Sequence, residues 1–515
     1  MGDKKYLLAH DFGTSGDKAT LFTTEGEFIA TKTTGYPSIT LANGGVEQDP
    51  KDWWNCFCET TKALLKGVDP KDVLAVGFDG TYPNCLCIDK DGNCLNNAYI
   101  WQDVRAVEEC AELEAMIPKA ALMCNRDGKI GANETLPKVY WLKKNKPEIF
   151  EKTAMIFPAC QDYIIYKLTG KCATCYEPAA NTTLMLPDIS DWSDEILSYI
   201  GLRRDQLPEL HKRTDIIGEV PEKYAEECGL APGTKLVIGT GDTENSMVGA
   251  GLIKPGDFYM NGGTSAGILG IVEGKDGQIH FAGGLTASSG TSYKWLKDEI
   301  CLFEQELAEE EKKNAEKEGR PAKSVYDIIN DEMAKAPVGS NGVMFHPYLA
   351  GERSPRNNGK AQGSFVGIGL TTKRTDILRS VIEGIALNIG VILDQVREEG
   401  YDLKSVVIVG GLGKGAITRQ IFADVMDIEI KAPKFMEEAA TIGGAITAGI
   451  ALGIYEDESS AIGKFLQIES VTRPIPEHVE IYKKMKPIYE KIYNGLYDVY
   501  PDIYDLKKEL AGGQD

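Results

Sequence analysis

Residues 238–272 read IGTGDTENSMVGAGLIKPGDFYMNGGTSAGILGIV, and this stretch decides the fold. An apolar run delivers one acid, Asp242, at a glycine-flanked bend. Further on, a second apolar run ends in Gly262-Gly263-Thr264-Ser265 before turning back into Ile268, Leu269 and Ile271. The reading is a carboxylate at a strand end, followed by a hairpin whose tip is made of glycine and hydroxyl residues. The chain opens the same way: Asp11-Phe12-Gly13-Thr14-Ser15-Gly16 lies between the apolar runs 6–9 and 19–22. Two Gly-Thr-Ser tips half a chain apart imply two related halves, each presenting one anion-binding hairpin to a cleft between them.

Glycine at such a tip lets main-chain N–H groups approach an anion, because it tolerates positive φ and has no side chain in the way. Thr14, Ser15, Thr264 and Ser265 add hydroxyl donors. Asp11 stands where a carboxylate can hold a divalent ion accompanying phosphates, directly or through water, since Mg²⁺ prefers carboxylate and water oxygens. Asp242 has no neighbouring histidine or cysteine, which disfavours a nucleophilic triad. It suits a base that takes the proton from a substrate hydroxyl as that oxygen attacks a phosphoryl group. A single Gly-Thr-Ser turn is ordinarily only a turn; the duplication, with an acid in each preceding segment, is what points to phosphate.

The chain has 515 residues, too many for one ordinary core, and the two expected domains are 1–249 and 250–515. A net charge of −21, from 77 acids against 56 bases, argues against nucleic acid or an anionic membrane as the main partner. The start, Met1-Gly2-Asp3-Lys4-Lys5, runs into a strand without the apolar core of a signal peptide and lacks the sixth-position Ser or Thr of a myristoylation signal. A soluble cytoplasmic protein is expected. The 12 cysteines read as reduced core residues, and Cys172-x-x-Cys175 has no second pair to complete a zinc site.

In chain order, residues 6–34 predict a strand, the first tip and a second hairpin at Glu25-Gly26. Asp49-Pro50 predicts a helix start, with Trp53, Trp54, Phe57, Leu64 and Leu65 on one face. Residues 73–78 predict a buried strand ending at Asp79-Gly80-Thr81-Tyr82-Pro83, and 85–88 a strand pairing through Asp89-Lys90-Asp91-Gly92 with Leu95 onwards. Strand ends of this kind hold ligands in open α/β sheets. Tyr99-Ile100-Trp101-Gln102-Asp103-Val104-Arg105 mixes aromatic, amide, acid and base, a set that suits a polyol. Residues 138–168 read as helical without notable chemistry, and the charged stretch 304–319 as an exposed helix. Residues 406–425 form a strand, a Gly410-Gly411-Leu412-Gly413-Lys414-Gly415 turn and a helix, whose spacing fits neither the dinucleotide nor the P-loop pattern. A second turn at 438–445 is positioned to sandwich a flat base with the first. The apolar spacing of 481–500 is packing, with Pro487 marking a helix start or kink.

Taken together these residues resemble the FGGY carbohydrate kinases, and among them the xylulose kinases, nearly end to end. The resemblance rests on the order and spacing of 11–15, Glu47-Gln48-Asp49-Pro50, 101–105, Gly241-Asp242, 263–265, Pro347-Tyr348-Leu349-Ala350-Gly351-Glu352-Arg353-Ser354-Pro355, 363–368, and the turns at 410 and 440–445. It implies a pair of actin-like, ribonuclease H-like α/β domains with an active-site cleft, and transfer of the γ-phosphate of ATP, with Mg²⁺, to a sugar hydroxyl. By position, Asp242 matches the family's base and Asp11 its nucleotide-side acid. Gly13, Thr14, Ser15, Lys18, Gly263, Thr264 and Ser265 match the phosphate loops, and Gly411, Gly413, Lys414 and Gly443 the adenosine site. Thr81, Tyr82, Pro83, Asp103, Arg105, Asp242 and Thr243 match sugar contacts. Departures cluster there: Tyr82-Pro83 replaces the usual Met-His, Thr243 the frequent Asn after the base, Leu412 a third glycine, and His10 an aliphatic residue before Asp11. Asp79-Gly80-Thr81 is similar to the Asp-x-Thr of some ribulose kinases.

The expectation is therefore an ATP-dependent kinase for the terminal primary hydroxyl of a ketopentose, D-xylulose first, with ribulose, another ketose or polyol, or a dihydroxy ketone as alternatives. A nucleotide-gated sensor or chaperone-like ATPase on the same fold is a more distant reading, disfavoured because a sensor needs no base at Asp242; a non-catalytic sugar-binding regulator is a third, which predicts ligand binding without turnover. The Tyr-rich tail and family habit are compatible with a homodimer, which the sequence alone does not fix.

Overall fold

The computed structural model describes residues 4–123, 128–273 and 279–512; Met1-Gly2-Asp3, considered above for lipidation, lies outside the described residues. The chain divides into two compact units, Met1–Gly249 with Glu438–Phe465, and Ala250–Glu437 with Leu466–Asp515.

In the first unit, β1 (Tyr6–Gly13), β2 (Gly16–Thr23) and β3 (Phe28–Gly35) form an antiparallel meander. β4 (Val73–Gly80) lies parallel to β1, followed in space by the parallel β6 (Lys235–Gly241) and the antiparallel edge strand β5 (Ile216–Glu219). The sheet order is β5-β6-β4-β1-β2-β3. β4 and β6 are buried along nearly their whole length and read as continuous apolar runs, as strands covered on both faces must. α1 (Pro50–Leu64) starts as its sequence predicts: the Asp49 carboxylate accepts from the Lys51 N–H at 2.9 Å, Pro50 opens the first turn, and Trp53, Trp54, Phe57 and Leu64 are buried.

The second unit repeats the plan. β7 (Phe258–Gly262), β8 (Ala266–Glu273) and β9 (Ile279–Leu285) are an antiparallel meander. β10 (Ser405–Val409) is parallel to β7, β11 (Glu429–Pro433) parallel to β10, and β12 (Ile468–Thr472) antiparallel at the edge. The order β9-β8-β7-β10-β11-β12 matches the first sheet strand for strand in direction. In the first unit the antiparallel edge strand precedes its neighbour in sequence; in the second it follows. The helix Arg374–Glu398 buries Leu378, Val381, Ile385 and Ile389 in this unit's core.

The structure differs from the expectations in two places and adds a strand partner in a third. Residues 438–465, assigned above to the second domain, pack with the first. The reason is the helix Ala439–Ala451, whose small residues allow backbone approach: a Cβ on Gly443 would stand 2.1 Å from the Asn245 carbonyl oxygen, and one on Gly249 1.9 Å from that of Ala439. Residues 86–88 turn back through 89–92 as expected, the Leu95 N–H donating to the Cys87 carbonyl at 2.8 Å beside an Ile88–Cys94 bridge, and they gain a second partner in Met155–Phe157. Glu304, placed on an exposed helix, is buried and paired with Arg374 at 2.6 Å. Pro487 lies inside the helix Pro476–Leu496. No helix among the described residues is long and apolar enough to cross a membrane. The cysteines among the described residues are free, Cys172 and Cys175 included.

Candidate active site

Three parallel strands of the first unit, β1, β4 and β6, end at one edge of their sheet. Register puts Asp11 opposite Asp79, and Gly80 opposite Gly241, so Asp242, which opens α2 (Asp242–Gly249), joins that edge. Three carboxyls thus crowd one largely buried edge. Burial and then the Asp11 charge hold Asp79 well above the usual carboxylate range, and burial raises Asp11. Asp242 retains some surface, yet burial, followed by the charges of Asp11 and Glu244, pushes it up to about 7. That is where a general base works best near neutral pH. The Asp79 Oδ2 accepts from Asn245 Nδ2 at 3.0 Å, while its Oδ1 is buried without a donor.

The first tip is the turn between β1 and β2, and it is braced from the side. Gln48 Nε2 donates to the Thr14 carbonyl at 2.8 Å, Trp101 Nε1 to Thr14 Oγ1 at 2.9 Å, and the Tyr36 hydroxyl to the Gly13 carbonyl. Gln48 is held in turn by Trp53 Nε1 at 2.9 Å. Ser15 is exposed, and Lys18 stands opposite Asp11 across the hairpin, where its charge opposes the rise in the Asp11 carboxyl. His10 points away from this edge, buried between Asp17 and Thr61 at 3.0 and 3.1 Å.

The predicted sugar residues fall into two groups. Thr81 is buried, its hydroxyl 2.9 Å from the Cys160 sulfur, and Tyr82 packs so closely on Gly241 that a Cβ there would lie 1.9 Å from the ring. Thr243 Oγ1 bonds Asp242 Oδ1 at 3.3 Å. The Tyr82-Pro83 bond is cis. The second group is a buried ion cluster: Arg105 donates to Asp103 at 2.7 to 3.0 Å and to Glu47 at 2.7 Å, with its guanidinium 3.9 Å from the Tyr99 ring centre. Asp103 also accepts from the Val46 N–H at 2.8 Å. Arg105 and Asp103 are therefore tied to each other and to the scaffold.

In the second unit a cavity of about 640 Å³ opens at the tip between β7 and β8. Gly263 and Thr264 line one side, Gly411 and Lys414 another, and Tyr293 and Tyr326 supply aromatic walls. The Gly263 N–H donates to Asn261 Oδ1 at 3.0 Å, and the Thr264 carbonyl receives the Gly290 N–H at 3.0 Å, which brace the tip. No atom lies within 4 Å of a Cβ built on Gly411, so its backbone is open to a ligand. Lys414 pairs with Glu437 at 2.6 Å. The volume suits a nucleotide, and the lining combines a glycine tip with aromatic rings. Gly413 and Ser265 do not line the cavity; Gly413 is buried against Met436 and Ile408. Gly443 is buried inside its helix against Asn245, and residues 439–445 are helical where a base-binding turn was expected.

Sequence reading passed over Tyr293 and Tyr326, Asn245, Glu244 and Lys138. Lys138 is fully buried, and Glu244 accepts from the Tyr82 hydroxyl. None sits in a recognisable pattern; only the Glu47-Gln48 pair had a signal, as part of a quoted motif. Among the described residues no group of three or more His, Cys, Asp or Glu side chains has metal-binding geometry. A Mg²⁺ ion held by one carboxylate such as Asp11 and by water would not require such a group.

Residues 6–249 match the family described as "FGGY family of carbohydrate kinases, N-terminal domain", and residues 259–452 its C-terminal domain. The xylulose kinase of Bacillus subtilis (strain 168) is 28% identical, covering 98% of this chain and 100% of its own length. The gluconokinase of the same organism is 26% identical over 98% and 99%. The solved structure of a ligand-bound xylulose kinase from Lactobacillus acidophilus superposes with a TM-score of 0.83 at 26% identity, over 97% of this chain and 100% of that one.

Proposed function

The chain belongs to the FGGY family of carbohydrate kinases, with its ribonuclease H-like, actin-like domains and its ATP-dependent phosphotransfer to an alcohol; from that premise we propose that it phosphorylates the terminal primary hydroxyl of a ketopentose, D-xylulose first. The observation that carries the reading is Asp242: a carboxyl at a strand end, raised to about 7, beside Tyr82 and Thr243. A sugar hydroxyl seated there would lose its proton to Asp242 as its oxygen attacks the γ-phosphate. The tips at Gly13–Ser15 and Gly263–Thr264 would hold phosphate oxygens through hydroxyl and main-chain groups other than the Gly263 N–H, which Asn261 engages, and Gly411 and the Tyr293 and Tyr326 rings would take the adenosine. Mg²⁺, when bound, would neutralise phosphate charge near Asp11. Arg105 and Asp103, locked to one another and buried, would brace the segment against which the sugar orients.

Charge favours a neutral sugar over an aldonate, the substrate class that the gluconokinase relative brings into question. Asp11, Asp79, Asp242 and Glu244 crowd one edge, while Arg105 is matched by two acids and Arg213 is paired with Glu458. A sugar carboxylate in this unit would add charge to an edge that already raises its own carboxyls. With ATP and Mg²⁺ at hand, the cytoplasm is the proposed location. The test is ADP release with Mg²⁺-ATP against ketopentoses, ketohexoses, polyols and D-gluconate, with a blank lacking sugar. Turnover of D-xylulose with D-gluconate inert supports the reading, and the reverse pattern overturns it.

A further inference from the structure

Lysine is among the residues least often found fully buried, and a buried ammonium normally sits beside an acid. Lys138 is 0% exposed, and both of its hydrogen bonds go to main-chain carbonyls: Pro83 at 2.8 Å and Ile100 at 2.7 Å. It lies in the helix Thr135–Asn145, within the stretch that sequence reading passed over. Pro83 belongs to the segment carrying Thr81 and Tyr82. Ile100 belongs to the segment carrying Asp103 and Arg105.

The same helical face supports both segments at neighbouring positions. One turn before Lys138, Thr135 Oγ1 donates to the Asn84 carbonyl at 2.8 Å. One turn after it, the Trp141 ring lies 4.9 Å beneath the Arg105 guanidinium. At their base the two segments are already joined, Cys85 and Tyr99 exchanging main-chain bonds of 2.9 and 3.1 Å. Beyond that point Lys138 spans the opening between them. An apolar residue would pack a helix at less desolvation cost; what it could not do is bind two carbonyls at once. Burial draws the ammonium down to about 7, with Asp103, Cys85 and Glu134 opposing the fall and Arg105 adding to it.

We propose that Lys138 is a positioning residue for the sugar site, its ammonium fixing the spacing between segments 79–84 and 99–105 so that Thr81 and Tyr82 meet the substrate in register with Asp103 and Arg105. This rests on the sugar-kinase reading above. It assigns Lys138 no contact with the sugar and no part in proton transfer. Losing the clamp should therefore weaken sugar binding while leaving the chemical step and the nucleotide cavity alone.

The experiment compares the wild-type chain with Lys138→Met and Lys138→Gln, which removes or keeps a donor, using D-xylulose as the sugar and hydrogen exchange of the main-chain amides as a readout needing no sugar. For Lys138→Met the KM for D-xylulose should rise about tenfold or more, with kcat and the KM for ATP within about threefold of wild type. Amides of 79–84 and 99–105 should exchange faster, with the rest of the chain unchanged. Lys138→Gln should recover much of the KM. If Lys138→Met does not fold, Lys138→Gln and Thr135→Val carry the comparison, each expected to shift sugar KM and local exchange in the same direction by less. Unchanged exchange in both segments, or a parallel loss of kcat, ATP affinity and global protection in these milder variants, overturns the assignment. A wild-type enzyme inert to D-xylulose would sink the proposed substrate, and the exchange result would still decide the role of Lys138.

Discussion

The Tyr82 hydroxyl donates to both carboxylate oxygens of Glu244, at 2.7 and 2.9 Å. Glu244 is two residues beyond Asp242, and its charge is one of the forces raising that carboxyl. Tyr82 is thus linked to the base through an intermediate acid, although the two side chains come from different strand ends.

Replacing Tyr82 by Phe tests this link. The hydroxyl lowers the Glu244 carboxyl against a burial effect that raises it, so in Tyr82→Phe the Glu244 carboxyl rises and holds its proton to higher pH. A neutral Glu244 repels the Asp242 charge less, and Asp242 then falls from its value of about 7. A base is active when ionised, so wild-type kcat/KM should fall as pH drops through about 7, and in the variant the fall should begin at lower pH. A pH profile of kcat/KM for the sugar reads both limbs. An unmoved acid limb would mean that Glu244 does not act on Asp242.

Asp242→Asn keeps the shape of the side chain and removes the base. General base catalysis contributes about a hundredfold or more, so kcat should drop at least that far, while nucleotide binding, measured by calorimetry, should stay near wild type. Phosphorylation persisting within a few-fold would remove Asp242 from its assigned role.

Glycine substitutions separate the nucleotide cavity from the packing of the first unit. An added Cβ at Gly411 meets nothing within 4 Å, so Gly411→Ala should fold normally and raise the KM for ATP by filling space a ligand would use. At Gly443 the same atom would lie 2.1 Å from the Asn245 carbonyl oxygen and force two helices apart. Gly443→Ala should therefore lower the melting temperature, with a cost of about 1–3 kcal/mol typical of overpacking, and any effect on ATP should follow from that loss. A stable Gly443→Ala with specifically weakened ATP binding would restore the nucleotide role suggested by sequence.

This contrast shows where the sequence was legible. Local signals carried far: Asp49-Pro50 marks a helix start, the apolar runs before Asp11 and Asp242 mark buried strands, and the repeated Gly-Thr-Ser marks two tips that turn out to lie in matching sheets. Gly443 was ambiguous in sequence because a glycine that admits a ligand and a glycine that admits a helix look alike without the partner. Lys138 was invisible for the complementary reason. Its acceptors are main-chain carbonyls of Pro83 and Ile100, which every residue has, so no residue type records the contact. Asp79 was seen as part of a strand end, but its elevation depends on the register that places it against Asp11, a fact of pairing between distant strands.

The Arg105 cluster gives the last test, because it separates scaffolding from recognition. The Arg105 side chain is 1% exposed and that of Asp103 0%, with Glu47 at 13%, so Arg105→Leu strands one carboxylate in the interior and a second near it. Breaking a buried pair from one side costs about 3–5 kcal/mol, whereas replacing both partners by apolar groups is often near neutral. Arg105→Leu should accordingly show a large loss in denaturant stability of the first unit's transition. Arg105→Leu with Asp103→Leu should regain much of it, since Glu47 keeps access to water. Sugar turnover should remain poor in both, because the double variant rebuilds the core without the polar wall. Recovery of sugar KM together with stability would show that the cluster only supports the fold, and would move the recognition of the sugar entirely to Thr81, Tyr82 and Thr243.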